Sequence, residues 1–91
     1  MRCVWDERKR LSNLRIHGLD FRDAPGVFDG STFTIDDARF ADGEQRFLTL
    51  GLLGEVGVSI VHTEAPDLIR IISFRKATRH EEVVLFQSLK D

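Results

Sequence analysis

Residues 45–75, QRFLTLGLLGEVGVSIVHTEAPDLIRIISFR, decide how this chain folds. Gln45 to Leu52 and Val56 to Thr63 are β-rich runs on either side of Leu53-Gly54-Glu55, which predicts a hairpin. Side chains alternate across a strand, so loop length sets which residues share a face. A three-residue loop gathers Leu48, Leu50 and Leu52 with Val56, Val58, Ile60 and His62; a two-residue loop puts the two sets on opposite faces. Ala65-Pro66-Asp67 reads as a turn. Leu68 to Arg75 is apolar on both faces, which marks a strand central to a sheet.

The flanks supply helices. Residues 2–5 form a short first strand, and Asp6 is a natural N-cap with Glu7 in the first turn of a helix that Gly18 ends in the left-handed conformation. Leu11 and Leu14 are expected on its buried face, with Arg8, Lys9, Arg10 and Arg15 elsewhere. Trp5, where strand meets helix, is expected to be buried. Asp20 offers a second N-cap, and Phe21, Ala24, Val27 and Phe28 have helical spacing, although Pro25-Gly26 limits that segment to a turn or two. Ser31 to Ile35 is a further strand, and Asp36-Asp37 through Asp42-Gly43 a polar connection. Thr78 and Glu81 make a capping-box pattern, so a last helix begins within two residues of Ala77, with Val83, Val84, Phe86 and Leu89 as its buried stripe. The order β-α-α-β-β-β-β-α predicts an α+β fold: a mostly antiparallel four- or five-stranded sheet, two N-terminal helical segments and a C-terminal helix.

A chain of 91 residues fits one domain, 1–91, and its 42% apolar and 31% charged residues are ordinary for a globular protein. Cys3 is the single cysteine, so no internal disulfide is expected. Neither a leader peptide nor an apolar stretch of membrane-spanning length is visible, which points to a cytoplasmic protein with no membrane partner. The net charge of −2 disfavours broad binding to nucleic acid, but the charge is uneven. Residues 1–22 carry +3, residues 68–91 carry +2 and the middle carries −7, so two basic ends that meet would form a basic surface on an acidic body.

Phosphate-loop, zincin, paired-cysteine and nucleophile-elbow motifs are absent, and carboxylates do not fall at metal-ligand spacing with histidines. Neither a metal nor another cofactor is expected. What stands out is Arg46, Arg70 and Arg75 on or beside strands, where a long unpaired charge is costly to bury. Either they pair with acids such as Glu44 or Glu64, or they converge on a phosphodiester, which guanidinium matches bidentately. His62, at the end of an apolar strand, is either a hydrogen-bonded core residue or a proton carrier.

The segments Trp5-Asp6-Glu7-x-Lys9-x-x-x-Asn13-x-x-x-His17-Gly18-x-x-Phe21 and Arg70-Ile71-Ile72-Ser73-x-Arg75-Lys76-Ala77-Thr78-Arg79-x-Glu81 resemble the two ends of the BrnT toxin family. Glu44-x-Arg46 followed by Gly51, and Val61-His62-Thr63-Glu64, fit its middle in the right order. The resemblance implies a RelE-like fold and metal-independent RNA cleavage. It also implies a bacterial BrnA-type antitoxin, with operator DNA bound only through that partner. RNA brings its own 2′-hydroxyl nucleophile, so a proton acceptor, cations around the phosphorane and a donor for the leaving oxygen suffice, with His62 or Glu44 handling protons. Glu44, Arg46, His62, Arg70 and Arg75 are then the candidate catalytic set, with Lys9, Lys76 and Arg79 as substrate contacts. The competing class is a non-catalytic module that binds an antitoxin or acts as co-repressor.

Overall fold

A computed structural model describes residues 1–37 and 43–90; residues 38–42 of the predicted polar connection lie outside the described residues. Five strands form one sheet: β1 (Arg2–Val4), β2 (Phe33–Asp36), β3 (Phe47–Leu53), β4 (Val56–Ala65) and β5 (Leu68–Lys76), in the spatial order β1-β5-β4-β3-β2. Pairing is antiparallel except between β1 and β5. Helix α1 (Glu7–His17), a single 3₁₀ turn at Phe21–Asp23, α2 (Ala24–Phe28) and α3 (Arg79–Lys90) complete the α+β fold.

Leu53 pairs with Val56, so the β3–β4 loop has two residues, Gly54-Glu55, and the two hydrophobic sets separate. Val58 and Ile60 turn toward α2, in a core with Phe21, Ala24, Val27, Ile69, Ile71 and Phe74. Leu48, Leu50 and Val61 turn the other way, against Leu85 of α3. Gly51 permits the first packing: a Cβ there would lie 2.7 Å from Val27 Cγ1. Pro25 is tolerated because it sits in the first turn of α2, where its missing N–H leaves no bond unmade.

Pairing of β4 with β5 steps from Val61 opposite Ser73 to His62 opposite Ile71, which leaves Ile72 as an extra residue on β5. This bulge reverses the alternation. Ile69 and Ile71 share a core with Phe74, whereas Arg70 and Arg75 both turn to the α3 face.

Two predicted buried faces differ from those observed. In α1 the buried residues are Arg10 and Asn13, while Leu11 and Leu14 are exposed. Arg10 is held by Glu7 (Nε–Oε1 2.7 Å) and Asp20 (Nη1–Oδ2 3.1 Å). Asn13 lies along β5 beyond the end of β1: its Nδ2 donates to the Phe74 carbonyl at 2.7 Å, and its Oδ1 accepts from the Phe74 N–H at 3.1 Å. One amide side chain thus replaces a neighbouring strand, which is why a polar residue is buried there. In α3 the buried residue is Leu85, with Val84 beside it; Val83, Phe86 and Leu89 are exposed. Trp5 is half-buried, its ring edge-on to Phe21 with centroids 6.3 Å apart. The helix caps follow the sequence. Asp6 accepts from the N–H groups of Arg8 and Lys9, Gly18 has φ 73°, and Thr78 and Glu81 exchange hydrogen bonds of 2.9 and 3.1 Å.

Candidate functional site

The two basic ends of the sequence meet at β5, which β1 pairs and α1 flanks. On the α3 face of the sheet, Arg70 stands opposite Thr63 of β4, and Arg46 immediately precedes Phe47, the partner of His62. By alternation Arg46 and Arg70 therefore lie on the same face on either side of Thr63. Glu44 joins them: its Oε1 accepts from Arg70 Nη2 at 2.5 Å and lies 3.8 Å from Arg46 Nε. The Arg70 and Glu44 side chains are 40% and 46% exposed, so the contact is an open ion pair that contributes little to stability. Two guanidiniums converging on one exchangeable carboxylate oxygen make a place suited to a phosphate oxygen.

Arg75 shares the face but not the cluster. It lies five residues along β5, roughly 15 Å away at the usual rise per residue. Its guanidinium grips Glu81 at 2.8 and 3.0 Å. Because Glu81 also accepts from the Thr78 N–H, this pair ties the start of α3 to the sheet. The hydrogen bond from Arg75 holds the Glu81 carboxyl below the usual carboxylate range. Lys76 and Arg79 are exposed near the same junction, but Lys76 stands opposite Val58 and so lies on the α2 face, away from Arg75.

His62 is not brought to the arginines. It lies on the opposite face, fully buried, with the Phe28 ring edge-on at 5.1 Å and the Phe47 ring stacked at 6.0 Å. Its Nε2 is 2.6 Å from Thr49 Oγ1, which in turn is 2.7 Å from Thr34 Oγ1. Burial pushes the imidazole below its ordinary value, against weaker opposing effects from the Thr63 carbonyl and Glu64.

A feature that the sequence reading did not single out adjoins the arginine cluster. Lys9, Ser12, Asn13, Ile16 and His17 recur at three- and four-residue spacing, so they share one face of α1. With Ile72 they line a groove of about 260 Å³ between that helix and β5. Ile72 is the bulged residue, two positions from Arg70. The periodic signal was present in the sequence; the packing of α1 beside Ile72 was not.

A family described as the ribonuclease toxin BrnT of type II toxin–antitoxin systems matches residues 5–81. The match spans the first helix, the arginine cluster and the capping box of α3, and the chain belongs to this family. No curated protein matches closely enough to refine that assignment.

Proposed function

We propose that the chain cleaves RNA without a metal, by attack of the 2′-hydroxyl, on the α3 face of the sheet. The observation that carries this reading is the convergence of Arg46 and Arg70 on Glu44 Oε1. A phosphate oxygen taking that position gains two guanidinium donors on a β-sheet, the arrangement needed to stabilise charge as the phosphorane forms. Glu44 aligns the guanidiniums while no substrate is bound. Arg75, with Arg79, contacts phosphates further along the strand of RNA, while Lys76, opposite Val58, faces the other side of the sheet. Lys9 flanks the cluster on the other side. His62, buried and bonded to Thr49, supports the sheet from behind.

The toxin works in the cytoplasm, where it inhibits translation until a BrnA-type antitoxin neutralises it; operator DNA is bound only through that antitoxin. The described residues contain no helix long and apolar enough to cross a membrane. The exposed Val83, Phe86 and Leu89 suit coverage by a protein partner, which membership of a type II family supplies as the antitoxin. The test is cleavage of a labelled RNA in the presence of a chelator, with and without the antitoxin. Chelator-resistant cleavage that Arg46→Ala and Arg70→Ala abolish is the expected result. Undiminished cleavage by folded forms of both variants contradicts the assignment.

A further inference from the structure

The one carboxylate described in the arginine cluster, Glu44, is engaged by Arg70 and Arg46 and gives up that position to a bound phosphate, and His62 is sealed on the other side of the sheet. Of the other two histidines, His80 lies in the first turn of α3, and His17 lines the groove between α1 and β5. We propose that His17 is the catalytic base and that this groove seats the ribonucleotide on the 5′ side of the scissile phosphate. The inference rests on the RNA-cleavage reading and deepens it.

Three observations converge. His17 is exposed at the last position of α1, and no side-chain partner engages it, Lys9 or Ser12 among the described residues. An exposed imidazole with no side-chain partner is open to a hydrogen bond from a substrate hydroxyl. The groove has two chemical halves: Lys9, Ser12 and His17 offer a cation, a hydroxyl and an imidazole, whereas Ile16 and Ile72 offer an apolar floor. A ribonucleotide has the same division, with phosphate and sugar hydroxyls on one side and the faces of base and sugar on the other. At about 260 Å³ the groove is on the scale of a ribose with its phosphate. The third observation is position. Ile72 lies two residues from Arg70 on β5 and by ordinary alternation shares its face, so the groove opens beside the arginine cluster; two residues of strand span roughly 7 Å.

In the step proposed, the 2′-oxygen bonds to phosphorus as its proton passes to the unprotonated ring nitrogen of His17. The bond from phosphorus to the 5′-oxygen breaks, its electron pair stays on that oxygen, and a proton from water neutralises it. His17 returns its proton to solvent. The products are a 2′,3′-cyclic phosphate and a 5′-hydroxyl end.

The experiment compares the full chain with its His17→Gln, His17→Ala, Lys9→Ala and His80→Gln variants. Cleavage of an RNA oligonucleotide is measured across pH, and binding with the 2′-O-methyl form, which cannot react. His17→Gln should lose about a hundredfold or more in rate and bind within about twofold of the parent. The acid limb of the parent's pH profile should disappear, and added imidazole should restore part of the rate of His17→Ala. Lys9→Ala should weaken binding, and His80→Gln should match the parent. In NMR spectra the His17 ring resonances should move on adding the 2′-O-methyl RNA. Parent-rate cleavage by folded His17→Gln, or His17 resonances that ignore the RNA, overturns the proposal while the ribonuclease reading stands. A parent that cleaves no RNA overturns both.

Discussion

The two faces of the sheet are built differently. Toward α2, eight buried residues from the helical segment and the strands close into one core, with Phe21, Ala24, Val27 and Phe74 all fully inaccessible. Toward α3, the buried cluster has four members, Leu85 is the one buried residue of the helix, and the rest of the face carries Arg46, Arg70 and Glu44. Apolar burial holds the fold together in proportion to area, so the first face dominates stability. The second leaves part of the sheet open, and Arg70, 40% exposed there, is placed to meet a ligand. The comparison teaches that one sheet divides two tasks, with side-chain alternation keeping them apart.

The largest effect expected is on the sealed face. Phe74→Ala should cost roughly 3–5 kcal/mol, and Leu85→Ala on the thinner face nearer ~2 kcal/mol. Urea unfolding measures both; equal losses would break the asymmetry. Asn13→Leu should come next, because it strips partners from the N–H and carbonyl of Phe74 at about 1–3 kcal/mol for each group left unsatisfied. A near-neutral result would show that water replaces the amide. Gly51→Ala should cost about 1–3 kcal/mol, since the new methyl must displace the buried, β-branched Val27. Its unfolding midpoint, compared with that of Gly54→Ala in the exposed loop, separates crowding from backbone strain at φ 63°.

The smallest effect concerns pH. The folded protein resists protonating His62, whereas the unfolded chain takes up that proton near the ordinary 6.5. Below about that pH the unfolded state binds the extra proton, so stability falls as pH drops and is flat above the window. Urea midpoints between pH 7.5 and 5.5 should show this slope, and His62→Gln should flatten it. An unchanged slope would mean that another group titrates. Glu81, whose carboxyl is depressed, acts lower: its contribution is present above its ordinary 4.5 and is lost as pH falls through the folded value.

Much of the fold was legible in the sequence because capping and turn residues act locally. Asp6, Gly18, Thr78 and Glu81 mark the helix ends by hydrogen bonds that reach at most a few residues. Buried faces were less legible. Leu11 and Leu14 looked like the inner side of α1, but an open stretch of β5 has backbone groups to satisfy, and Asn13 does that where leucine cannot. In α3, Leu85 is buried in place of the broader stripe because a single helix covers only part of the face. For the candidate site, alternation alone assigns Arg70 and Arg75 to opposite faces, and an unseen bulge reunites them. His62 was grouped with the arginines through the family resemblance and the proton-carrying chemistry of imidazole, yet the two-residue loop at Gly54-Glu55 turns it away. His17 was visible at four-residue spacing from Asn13 and Lys9, but nothing in the sequence shows that Ile72 closes a groove against them.

The division between the two faces is tested most directly by one pair of readings on Arg70→Ala: RNA cleavage rate and thermal unfolding on the same preparation. Arg70 is 40% exposed and paired with an equally open Glu44, so its removal should leave the unfolding temperature almost unchanged. Its loss from the phosphate cluster should lower cleavage about a hundredfold or more. A folded Arg70→Ala protein that cleaves RNA at the parent rate, or one that unfolds as Phe74→Ala does, would contradict the account.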